Sequence, residues 1–131
     1  MVGIDTNVLV RFIVQDDPDQ SARAGQSLTT ALSPDSPGYV NAIVLCKLVW
    51  VLKRAYKYPK PLILAVIEQL LNTRELALEH PDAARSALQS WQKGEADFSD
   101  YYLAAINRLA GCSTTIALDL HAGDHPDFTL I

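Results

Sequence analysis

The sequence predicts an α/β domain with a small parallel sheet and helices on both of its faces. Short apolar runs of strand length alternate with longer stretches of helical periodicity. Strand-like runs are followed by capping residues and a helix, the layout of βαβ crossovers that set strands parallel and cover the sheet on both sides. The 131 residues, 49% hydrophobic and 20% charged, are enough to bury one such core, so residues 1–131 are expected to form a single domain.

Val2 and Ile4 read as a short buried strand, and Asp5 falls where it stops. Thr6-Asn7 offers two capping side chains, and Asn7 to about Val14 reads as a short apolar helix. Asp17 followed by Pro18 is a cap with proline at the first helical position. It opens a polar, Ala-rich helix to about Leu32, with Ala22, Ala24, Leu28 and Leu32 inward. Ser33 to Gly38 is a turn, Tyr39-Val40 a second strand, and Asn41 another cap.

From Ala42 to Leu52 every residue is apolar except Lys47, the pattern of a helix buried on all sides. A lone cation there must face a wet cleft, meet a counter-charge or snorkel along its stem. The end of this helix, near Tyr56, turns basic and aromatic, with Lys53, Arg54, Tyr56, Lys57, Tyr58 and Lys60. Two readings stand for that cluster. Cations complement a helix C-terminus, and cations beside aromatics also suit a phosphate backbone with stacked bases.

Leu62 to Leu71 is an amphipathic helix with Leu62, Ala65, Val66 and Leu70 inward, and Leu76-Ala77-Leu78 a third strand. Asp82 to Gln92 is a helix burying Ala83, Ala84, Ala87, Leu88 and Trp91, stopped by Gly94. Tyr101 to Ala110 is a helix with Leu103, Ala104, Ile106 and Leu109 on its apolar side, ended by Gly111. Thr114 to Leu118 is a fourth strand, followed directly by Asp119, and Phe128-Thr129-Leu130 an edge strand. Trp50 and Trp91 read most simply as core.

Cys46 and Cys112 are far apart in apolar surroundings, as buried thiols in a reducing cytosol would be. No apolar stretch reaches transmembrane length without a charge, and the N-terminus lacks a signal-peptide layout. With a net charge of −4, the chain can meet nucleic acid only through a local basic patch or through metal ions.

The acids carry the chemistry. Asp5 ends the first strand and Asp119 the fourth, so side-by-side parallel strands would put both carboxylates on one rim, where α/β sheets bind ligands. Asp97 and Asp100 have the spacing of a helix N-cap and its third residue, so capping competes with ligation. Clustered carboxylates repel unless a cation joins them. Hard oxygen donors point to Mg²⁺ or Mn²⁺ rather than Zn²⁺, which activates water and neutralises charge on a phosphodiester. His121 and His125 with Asp119, Asp124 and Asp127 could form a separate metal site, but Gly123 and Pro126 argue for a solvated loop instead.

Val2-Gly3-Ile4-Asp5-Thr6-Asn7-Val8-Leu9, Val44 to Leu52, Ala96-Asp97-Phe98-Ser99-Asp100 and Leu118-Asp119, in this order, resemble the PIN domain, in particular the VapC-type toxins of toxin–antitoxin pairs. The resemblance covers essentially the whole chain. It implies a small α/β ribonuclease dependent on Mg²⁺ or Mn²⁺, acting in the cytoplasm, commonly a homodimer and held inactive by an antitoxin. It assigns Asp5, Asp100 and Asp119 to the metal, with Asp97 as an extra acid. Lys47 departs from it, since the family normally has Glu there, facing the other acids. An ammonium at that position is expected to take the metal's place and form salt bridges with Asp5, Asp100 and Asp97. Leu120-His121 also departs, where relatives usually carry basic residues.

Three functions follow as expectations. The first is an RNA-cleaving toxin impaired by Lys47, with Lys53, Arg54, Lys57 and Lys60 as RNA contacts. The second is an inactive PIN-fold protein that binds antitoxin or RNA without cleaving. The third is a flap-nuclease-like DNA enzyme, for whose additional elements the chain is too short. Phe12–Val14 and Val49–Tyr58 are the expected protein-contact surfaces.

Overall fold

The computed structural model describes residues 1–118 and 125–131. Asp119, Leu120, His121 and Asp124 therefore lie outside the described residues. The chain divides into two compact units, Met1–Glu79 and His80–Ile131.

In the first unit, strands β1 (Val2–Gly3), β2 (Gly38–Val40) and β3 (Leu76–Leu78) form a parallel sheet in that order. Helices α1 (Thr6–Val14) and α2 (Pro18–Ala31) connect β1 to β2, and α3 (Ala42–Arg54) and α4 (Lys60–Leu71) connect β2 to β3. Asp17 caps α2 by accepting from Gln20 N at 3.1 Å, and Asn41 caps α3 by accepting from Val44 N at 2.9 Å. Ile4, Leu9, Val40, Leu45, Leu48, Leu52, Ile63 and Ile67 are buried. At Gly38 the backbone lies close to the Ile4 side chain, which would have to shift to admit a Cβ.

Four expectations fail here, each for a physical reason. Val2 is exposed and only Ile4 is buried, because β1 is an edge strand of two residues. The inner face of α4 is Ile63, Ile67 and Leu70, one position round from the expected stripe. A helix that is apolar almost throughout leaves its buried face undetermined by periodicity. On α2, Ala24 is buried but Ala22 is exposed. Finally, α3 is not buried on all sides. Ile43, Lys47, Trp50 and Arg54, spaced four, three and four residues apart, run along one exposed face. Trp50 is 60% exposed and so not core.

In the second unit, α5 (Pro81–Lys93) and α6 (Phe98–Leu109) pack together, and β4 (Thr115–Ala117) pairs in parallel with β5 (Phe128–Leu130). The buried face of α5 is the expected Ala83, Ala84, Ala87, Leu88 and Trp91. The face of α6 is aromatic instead of aliphatic, with Phe98, Tyr101, Tyr102 and Ala104 buried while Leu103 and Leu109 are exposed. Trp91 meets Phe98 edge-on at 5.9 Å, and Phe98 meets Tyr102 at 5.4 Å, so ring packing sets the helix rotation.

His125 is not on a solvated loop. Its ring lies 5.5 Å from Tyr101 and 6.3 Å from Phe128. Its Nδ1 accepts from Asp127 N at 3.2 Å, which leaves the proton on Nε2, 3.1 Å from Ser90 Oγ. Arg108 pairs with Asp127 at 3.1 Å. Cys112 is exposed and Cys46 half-buried, so neither is a core thiol. Among the described residues, no helix is long and apolar enough to cross a membrane.

Candidate functional site

Asp5 stands between the end of β1 and the start of α1. It is the N-cap residue by backbone conformation, and its carbonyl accepts from Val8 N and Leu9 N. Its carboxylate makes no capping hydrogen bond. The side chain is exposed, and among the described residues it enters no hydrogen bond or ion pair. Capping alone therefore does not account for an acid here. Beside it, Thr6 Oγ1 is buried with no partner among the described residues, a cost of about 1–3 kcal/mol for an unsatisfied hydroxyl.

Lys47, on the exposed face of α3, forms no ion pair with Asp5. The salt bridge expected between these two residues is absent. An exposed ammonium keeps its hydration, and desolvating it for one surface pair gains little.

The basic end of α3 splits into different roles. Tyr56 does not offer a free ring, because its Oη donates to Asp16 Oδ2 at 3.0 Å and accepts from Arg11 at 3.0 Å. Arg11 also pairs with Asp16 at 2.9 Å and donates to Gln20 at 2.7 Å, tying α1 and the start of α2 to the end of α3. Partial desolvation raises the Asp16 carboxyl, but hydrogen bonds from Tyr56 and from the backbone, with the Arg11 charge, outweigh it and leave the pKa lowered. Arg54 and Lys57 are exposed, and Lys57 takes a left-handed conformation, φ 58°. Tyr58 lines an apolar groove of 710 Å³ with Leu9, Phe12, Leu62, Val66 and Leu70, which explains why Leu62 and Val66 stay out of the core.

In the second unit, Asp97 and Asp100 are brought together over the first turn of α6 as a capping box. Asp100 Oδ2 accepts from Asp97 N at 3.1 Å. Burial, then the Asp97 charge, raise the Asp100 pKa against the lowering effect of that hydrogen bond.

The donor types, all hard carboxylate oxygens, suit a divalent cation of the Mg²⁺ class. Their number does not complete a site, because among the described residues no three of His, Cys, Asp or Glu come together. Asp119 lies outside them.

The family model described as PIN domain matches residues 2–121. The chain belongs to the PIN domain family. No curated protein matches it. PIN domains are in general metal-dependent nucleases. Within this PIN domain, Trp50 was the residue missed by pattern reading. Its signal was present, since Lys47 and Arg54 mark the exposed face of α3 and Trp50 lies between them at helical spacing.

Proposed function

We propose that this PIN domain is a single-domain endoribonuclease of the VapC toxin type, weakened by Lys47 and controlled by an antitoxin. The observation that carries the reading is the Asp5 carboxylate, placed at a strand end and helix start with no structural hydrogen bond. Such a position leaves both carboxylate oxygens available to a ligand. The order of motifs in the sequence supports Asp5, Asp100 and Asp119 as holders of Mg²⁺ or Mn²⁺, with Asp97 assisting. When bound, such an ion activates water and neutralises charge on the phosphodiester.

The Asp97–Asp100 box would hold the Asp100 carboxylate in a fixed rotamer at the head of α6. Lys47 works against cation binding by charge alone. Relative to Glu it changes the local charge by two units, and two unit charges about 4 Å apart in water interact by about 1 kcal/mol. Acting on a divalent ion, the two-unit change is then worth about 4 kcal/mol, or roughly 1000-fold in metal affinity. The apolar groove beside Phe12 and Tyr58 fits an amphipathic segment of an antitoxin, and a homodimer is expected from the VapC likeness.

The test is RNA cleavage with Mg²⁺ or Mn²⁺ by the chain as it stands beside Lys47→Glu. The proposal expects weak or no cleavage and weak metal binding in the first, and gain of both in the second. Equal metal affinity and equal cleavage in both would remove Lys47 from the account. A second reading, an inactive binder of antitoxin or RNA, is favoured by the exposed cation at Lys47 and holds if Lys47→Glu also fails to cleave while RNA still binds.

A further inference from the structure

We propose that the exposed face of α3 is a docking platform for single-stranded RNA, with Trp50 as the surface on which a base stacks. The proposal rests on the ribonuclease reading and names the contact that reading lacks. Trp50 is 60% exposed and Ile43 is 70% exposed on the same face, whereas Trp91 is 3% exposed. A single exposed apolar side chain is ordinary, but an exposed indole beside a guanidinium is a ready stacking surface.

The charge pattern says what covers it. On this face the charged side chains of α3 are Lys47 and Arg54, with Lys57 just beyond the helix, in a run of residues 36–67 that holds no Asp or Glu; the Glu79 carboxylate is engaged at the helix start by Ala42 N. Two copies of this face meeting across a two-fold axis would oppose like charges, whereas a polyanion is attracted. The Arg54 guanidinium lies 5.9 Å from the Trp50 ring centroid, which orients the indole and puts a cation beside any base stacked on it. Lys57 adds a second cation at the end of the helix, held at φ 58° where glycine would be less strained. A flat aromatic surface flanked by cations is the arrangement that binds single strands with little sequence preference. Lys47 lies on this face between Ile43 and Trp50, so the strand would run past the position where the VapC likeness expects Glu.

The probe is a short fluorescent oligouridylate bound in EDTA, so that nothing is cleaved. Trp50→Ala is expected to weaken binding about 5- to 100-fold, while Trp50→Phe, which keeps a ring, stays within a few-fold. Arg54→Gln and Lys57→Gln should each lower the slope of log affinity against log salt by about 0.7. RNA should quench the Trp50 fluorescence, and the quench should vanish in Trp50→Phe because Trp91 is buried. Unchanged affinity of Trp50→Ala, or no binding by any form, overturns the platform. So does a Trp50→Ala chain that loses self-association but keeps its RNA affinity, which would make this face a protein interface. The nuclease reading is separable from the platform. If Lys47→Glu cleaves with the same KM when Trp50→Ala is added, the platform falls and the nuclease stands. If RNA binding depends on Trp50 and Lys47→Glu still cleaves nothing, the platform stands and the nuclease falls.

Discussion

Among the described residues three helices of this PIN domain begin with an acid; Asp17 is an ordinary cap of α2, and the acids that open α6 and α1 are used differently. At the head of α6, Asp97 and Asp100 hold each other in a reciprocal cap. At the head of α1, Asp5 has the backbone of a cap, but its carboxylate bonds to nothing among the described residues. The first arrangement stabilises a helix. The second forgoes a stabilising hydrogen bond and keeps a charge free, as a ligand-binding position does. Residue type and spacing alone do not separate these cases, since both read as an acid opening a helix. What separates them is where the oxygen atoms go.

The largest effect on stability is expected just ahead of α6. A Cβ on Gly94 would collide with Tyr101 Oη and come within 3.0 Å of the Ser90 carbonyl. Gly94→Ala should cost about 1–3 kcal/mol as overpacking, measured by urea unfolding. A neutral result would mean that the α6 entry is looser than its hydrogen bonds imply.

Next in size is the comparison itself. Asp100→Ala removes a capping hydrogen bond, the one that Asp97 N donates to its carboxylate, and should cost about 1 kcal/mol. Asp5→Ala removes none and should cost under about 0.5 kcal/mol, in the range of surface changes. Equal losses in the two variants would break the distinction between structural and functional acid.

The smallest effect is a pH dependence at Asp100. Its raised pKa means that the folded state holds this proton more tightly than the unfolded chain does. Stability therefore falls as pH rises from the ordinary carboxylate value near 4 to the raised folded value, and is flat above it. Asp100→Asn should flatten this part of the pH–stability curve while still accepting from Asp97 N.

Much of the fold was legible because local signals agreed. The cap at Asp17 with Pro18, the cap at Asn41 and the alanine stripe of α5 each specify one answer. Where the sequence is uniformly apolar, as in α3 and α4, periodicity has nothing to contrast, so α4 was read one position round and α3 as wholly buried. The exposed side of α3 was marked only by Lys47 and Arg54. On α6, bulky rings rather than leucines fill the core, because Phe98 meets Trp91 and Tyr102 packs on Phe98. His125 was misread because its partners, Ser90 and Tyr101, are distant in sequence. For the site, the acids were legible by type, but their hydrogen bonds were not.

On the proposed reading, the Asp5 carboxylate is kept free for chemistry. The direct measurement is RNA cleavage in Mn²⁺ by Lys47→Glu compared with the double variant Lys47→Glu/Asp5→Asn, with the unfolding midpoint of each recorded. The account predicts cleavage by the first, loss of it by about 100-fold or more in the second, an effect on the scale of removing an electrostatic group from a reacting site, and matching midpoints. Cleavage that survives Asp5→Asn unchanged would contradict it.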